Sequence, residues 1–108
     1  MNHRSSRVSK LIREELSKII LRELEFPGAL ATITQVDVDK KLESAKVMVS
    51  VMPSKSSAEV LEELGKSARH LQYLLLRKIN IKPLPRIIFE LDRGPENAAA
   101  VEKALLSK

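Results

Sequence analysis

Leu61, Leu64, Ala68, Leu71, Leu75 and Ile79 form an apolar stripe at near-heptad spacing over roughly 20 residues. A helix of that length spans about 30 Å, and a chain of 108 residues has one domain in which to cover it. Ser56 followed by Glu59 matches a capping box at its start, and Lys82-Pro83-Leu84-Pro85 breaks it at its end. Gly65 lies inside the stripe, so one helix and two helices joined at a bend are both compatible with it.

The segments on either side say what the stripe packs against. Val8, Leu11, Ile12, Leu16, Ile19 and Ile20 repeat at steps of three and four, an amphipathic helix that Ser5 or Ser6 can cap and Phe26-Pro27-Gly28 stops. Thr34, Val36 and Val38 then alternate with polar residues as a strand, and Ile33 breaks the alternation, as a bulge or burial on the second face would. Ala45, Val47, Val49 and Val51 alternate with Lys46, Met48, Ser50 and Met52, so the two runs read as an antiparallel hairpin. Ile87, Phe89 and Leu91 predict a third strand, and Gly94-Pro95-Glu96 opens a last Ala-rich helix reaching about Leu106. Three strands cannot stand with both faces wet. The first helix and the long helix are therefore expected on one face of an α+β sheet, in a compact monomer.

Composition removes most chemistry. The chain has no cysteine, which excludes disulfides, thiolate zinc sites and cysteine nucleophiles. His3 and His70 have no triad order or metal-ligand spacing around them, and three scattered glycines form neither a phosphate loop nor a dinucleotide fingerprint. No enzyme activity, metal, cofactor or small-molecule substrate is expected. Neither a signal peptide nor a membrane span is visible, so a soluble cytoplasmic protein is expected. Aromatics are only 3%, which argues against base-stacking platforms. Tyr73, the lone candidate for stacking on a base, is expected to pack at a helix edge.

Charge is where the chain is unusual. Lys and Arg total 19 against 14 Asp and Glu, a formal +5, but the excess is local. Lys66, Arg69, Arg77, Lys78, Lys82 and Arg86 fall in a stretch with no carboxylate at all. Helices interleave Glu with Lys when charge serves only solubility, and residues 59–63 of this chain do use Glu freely. Unrelieved repulsion in 66–86 therefore points to phosphates as partners. Arg7 and Lys18, on one flank of the first helix with Arg4 and Arg22, would extend the basic surface if the two helices lie side by side.

Glu25-Phe26-Pro27-Gly28-Ala29-Leu30, Thr32-Ile33-Thr34-Gln35-Val36-Asp37-Val38, Leu42 to Ser50 and Leu84-Pro85-Arg86-Ile87-Ile88-Phe89-Glu90-Leu91-Asp92 together resemble the bacterial ribosome-binding factor A family. The resemblance runs from about Arg4 to Leu106. It implies a type II KH-like domain, helix-strand-strand-helix-helix-strand, filling residues 1–108. It also implies a non-enzymatic assembly factor that binds the small ribosomal subunit and assists 16S rRNA maturation. That family replaces the Gly-x-x-Gly loop of ordinary KH domains with an Ala-x-Gly kink between two helices. Here Ser67, Ala68 and Arg69 occupy that place, a departure from the pattern, and a bend would fall between Gly65 and Arg69. A general RNA-binding module and a protein-interaction adaptor using the sheet face with Met48 and Met52 are the alternatives. The first would show no preference among ribosomal subunits and the second would be indifferent to salt.

Overall fold

A computed structural model describes residues 3–94. The element order is α1 (His3–Glu23), β1 (Leu30–Val38), β2 (Ser44–Met52), a 3₁₀ turn at Ser54–Ser56, α2 (Ser57–Lys78) and β3 (Arg86–Leu91). The proposed last helix lies outside the described residues.

β1 and β2 form the antiparallel hairpin, and β3 adds to β2 in parallel, giving the sheet order β1-β2-β3. Parallel pairing requires a crossover long enough to return the chain to the starting end of β2, and α2 is that crossover. α1 packs on β1, α2 packs on β3 and β2, and the two helices touch each other. Their stripes meet there. Ile12, Leu16 and Ile19 of α1, Leu64, Leu71 and Leu75 of α2, and Val47 and Val49 of β2 are fully buried.

Ile33 breaks the strand alternation because the pairing shifts between Ile33 and Gln35, leaving Thr34 as an extra residue. Ile33 and Val36 are thereby both turned into the core. Thr34 does not share their face, contrary to the simple alternation with Val36 and Val38. Its hydroxyl donates to the Asp92 carboxylate at 2.6 Å, tying the bulge to the end of β3.

Two local expectations change. α1 begins at His3, so Ser5 and Ser6 lie inside the helix rather than capping it. Ser56 is the N-cap of α2 but makes no side-chain cap bond. The 3₁₀ turn before it leaves Ser56 already in the helical region (φ −89°, ψ 0°), whereas a capping side chain works from an extended residue. Between the helices and strands the turns follow ordinary chemistry. Ala29 N–H donates to the Phe26 carbonyl at 2.9 Å, with Pro27 and Gly28 (φ 75°) at the two central positions of a type II turn.

The hairpin connection is organised by Asp39. Its carboxylate accepts the backbone N–H of Glu43 at 2.7 Å and the Ser44 hydroxyl at 3.2 Å while Leu42 adopts φ 59°. The Glu43 N–H, above all, holds the Asp39 carboxyl below its ordinary value of 3.8. A depressed folded value means stability that is present above 3.8 and is lost as pH falls through the folded value. Asp39→Asn should therefore flatten the acid limb of a melting-temperature profile taken from pH 6 downward. An unchanged limb would mean that the turn bonds do not hold in solution.

α2 is a single helix through the stretch where the family resemblance places a kink. Proline is absent from Ser57–Lys78, and a Cβ built on Gly65 meets nothing within 4 Å, so no close approach requires the glycine. Gly65→Ala is expected to stabilise the domain by about 1 kcal/mol in urea unfolding, the ordinary helix-propensity difference. A loss of stability would show that the glycine serves a bend.

Candidate nucleic-acid interface

The stripe that buries Leu64, Leu71 and Leu75 turns the opposite face of α2 to solvent. At 100° per residue, Lys66, Arg69, Tyr73 and Arg77 share that outer face, and all four are exposed. Arg77 lies over the Tyr73 ring, its guanidinium carbon 5.8 Å from the centroid, and its Nη1 donates to the Tyr73 hydroxyl at 3.4 Å. Tyr73 is 56% exposed. The expected packing at a helix edge is not what the structure shows, because position 73 lies directly opposite the buried stripe.

Lys78 also projects from the last turn of α2, Lys82 follows in the connection to β3, and Arg86 opens β3; all are exposed. Gln72 brings Arg86 alongside the helix. Its side-chain Nε2 donates to the Pro85 carbonyl at 3.2 Å and its Oε1 accepts the Ile87 N–H at 3.2 Å, clamping the backbone on both sides of Arg86. Pro85 is fully buried beneath. The clamp was not visible in the sequence, since a glutamine between two apolar residues carries no spacing signal.

Among the described residues, no carboxylate lies within ion-pair distance of Arg69, Arg77, Lys78, Lys82 or Arg86. Lys66 differs from the expectation of an unneutralised block. It meets Glu62 at 3.2 Å, one turn back across the boundary of the carboxylate-free stretch. Both partners are about two-thirds exposed, so the pair is a weak tether that solvent screens. Lys18 is similarly held by Glu15 at 3.5 Å. Arg77 and Lys78 in the last turn also complement the helix dipole, but that effect does not extend to Arg69, Lys82 or Arg86.

α1 contributes from the side. Arg7 and Lys18 lie three turns apart on one flank, both exposed. Ser17 and Leu21 of the other flank line a groove with Leu30 and Thr32 of β1 and Leu64 of α2. Where the helices meet, His70 of α2 lies 3.4 Å from the Glu23 carboxylate at the end of α1. That carboxyl is held below its ordinary range, first by Arg22 and then by His70. Lys66, Arg69 and Arg77 thus share one exposed face of α2, Lys78, Lys82 and Arg86 are exposed at its last turn and beyond it, and Arg7 and Lys18 form a separate row on α1.

No described helix is long and apolar enough to cross a membrane. Among the described residues there is no cluster of three or more His, Asp or Glu side chains able to hold a metal ion.

The family model for ribosome-binding factor A matches residues 4–105. A ribosome-binding factor A of Caldanaerobacter subterraneus is 37% identical over 97% of this chain and 88% of its own length. That of Acetivibrio thermocellus is 39% identical over 94% of this chain and 85% of its own. The fold is similar to the crystal structure of ribosome-binding factor A from Thermus thermophilus, with a TM-score of 0.69 at 23% identity, covering 83% of this chain and 98% of that one. A second Thermus thermophilus structure, a homology model fitted into a cryo-EM map of a complex of the factor with the 30S subunit, matches with a TM-score of 0.65 at 26% identity. That match covers 86% of this chain and 96% of that one.

Proposed function

The chain belongs to the ribosome-binding factor A family, and on that premise we propose that it binds the small ribosomal subunit in the bacterial cytoplasm and assists maturation of its 16S rRNA. It acts without catalysis, by occupying RNA. The observation that carries the reading is the run of exposed cations Lys66, Arg69, Arg77, Lys78, Lys82 and Arg86, of which five of the six lack a carboxylate partner among the described residues. Arg7 and Lys18 of α1 add a separate basic row. The complex with the 30S subunit recorded for the Thermus thermophilus relative supports the choice of partner.

A helix face with fixed cations suits phosphates, which it contacts without reading sequence. The shape of folded rRNA then supplies the selectivity. Co-sedimentation with isolated small and large subunits at two salt concentrations tests this. Retention on small subunits that falls steeply with salt is expected. Equal retention on both subunits would reduce the chain to a general RNA binder, and salt-indifferent retention would move the contact to the sheet face as a protein adaptor.

A further inference from the structure

The outer face of α2 presents an aromatic ring as well as positive charge. Phe26 and Phe89, the only other aromatic residues, are partly buried against the core. Tyr73 alone is placed in solvent, with Arg69 one turn before it and Arg77 one turn after. Leu76, on the adjoining side of the same helix, is 39% exposed. Tyr73 is the one aromatic ring on that face, exposed between two arginines one turn to either side.

We propose that Tyr73 is a stacking site for a single unpaired nucleobase of the RNA engaged by the cationic face. This rests on the RNA-binding reading above and adds the form of nucleic acid recognised. Arg77 lies over the ring, its guanidinium carbon 5.8 Å from the centroid. Arg69 and Arg77, each about one 5.4 Å turn from the ring, are placed for the phosphates flanking a stacked base. Bases paired within an A-form helix have their faces covered, so the site selects an unpaired nucleotide in a loop, bulge or single strand. One ring stacks on any base, and the selection is therefore for strandedness rather than sequence.

The composition supplies the measurement. The chain has one tyrosine and no tryptophan, so its intrinsic fluorescence reports on Tyr73 alone. The full chain is titrated with a dye-labelled single-stranded oligoadenylate, with an RNA duplex of the same length and with inorganic polyphosphate. Binding of the RNAs is followed by dye anisotropy and that of polyphosphate by its displacement of the labelled RNA. Strong quenching by the single strand, with little by the bound duplex or polyphosphate, is the expected result. Tyr73→Leu should bind the single strand on the order of ten-fold more weakly and the duplex unchanged, while Tyr73→Phe retains parental affinity. Salt-sensitive RNA binding with unquenched tyrosine and a fully active Tyr73→Leu would overturn the stacking site and leave the RNA-binding reading standing. Absence of binding to either RNA would overturn both.

Discussion

A chain carrying Arg69→Glu and Lys82→Glu should bind the small subunit about 25- to 60-fold more weakly than the parent at 0.1 M salt. Each phosphate contact contributes a factor that varies as salt to the power of about −0.7 to −0.9. Relative to 1 M salt, one contact is therefore worth about 0.7 to 0.9 decade of affinity at 0.1 M, and two are worth about 1.4 to 1.8 decades. Arg69 and Lys82 are the informative pair because both are exposed, neither has a carboxylate partner among the described residues, and neither belongs to the last turn of α2. Reversing Arg77 and Lys78 would also oppose the helix dipole and mix folding with binding. Lys41→Glu with Lys55→Glu, in the hairpin connection and the 3₁₀ turn, removes the same charge from outside this surface. The control should lose only a few-fold, with both variants first checked for parental melting. Equal losses would show that net charge, not the α2 surface, drives association.

Leu75→Ala should have the largest effect on folding, about 2–5 kcal/mol by urea denaturation. Leu75 is fully buried between α2 and the sheet, and its truncation loses both transfer free energy and the contacts around the resulting cavity. Domains of this size are stable by only about 5–15 kcal/mol, so the variant approaches the unfolding threshold. Leu76→Ala, the neighbouring residue on the exposed side, should change stability by less than about 1 kcal/mol. Similar losses at both positions would contradict the assignment of the buried stripe.

Much of the architecture was legible because it is written in periodicity. The stripe from Leu61 to Ile79, the shorter one from Val8 to Ile20 and the alternation from Ala45 to Val51 each place one face inward, and the structure buries those faces together. The irregularity at Ile33 marked the bulge, yet not which residue would be extra. Pairing across to Val49 and Met48 decides that, and cross-strand partners are not encoded locally. Cap chemistry failed for a related reason. Ser56 and Glu59 have capping-box spacing, but the 3₁₀ turn started by the preceding residues delivers the chain to α2 already wound. The family pattern suggested a bend near Gly65, whereas α2 continues through it because Ser67, Ala68 and Arg69 are all compatible with helix.

The candidate site was legible as a charge count and less so as a surface. The carboxylate-free stretch from 66 to 86 marks it, but Glu62 lies just outside that stretch in sequence and meets Lys66 one helical turn on. The role of Gln72 has no sequence signal because it depends on where β3 begins in space. Tyr73 is legible in the sequence as an outward residue, because its angular position relative to Leu71 and Leu75 on a helical wheel places it away from the core.

Site-directed crosslinking locates the interface most directly, and the absence of native cysteine permits it without background. A photoactivated crosslinker is attached to Leu76→Cys on α2 or to Ile88→Cys on β3, both exposed positions that leave every basic residue intact. Each labelled chain is then bound to isolated small subunits and irradiated. Crosslinks to 16S rRNA from position 76 with few or none from position 88 are the predicted result; rRNA crosslinks from position 88 and none from 76 would contradict the assignment of RNA binding to the cationic face of α2.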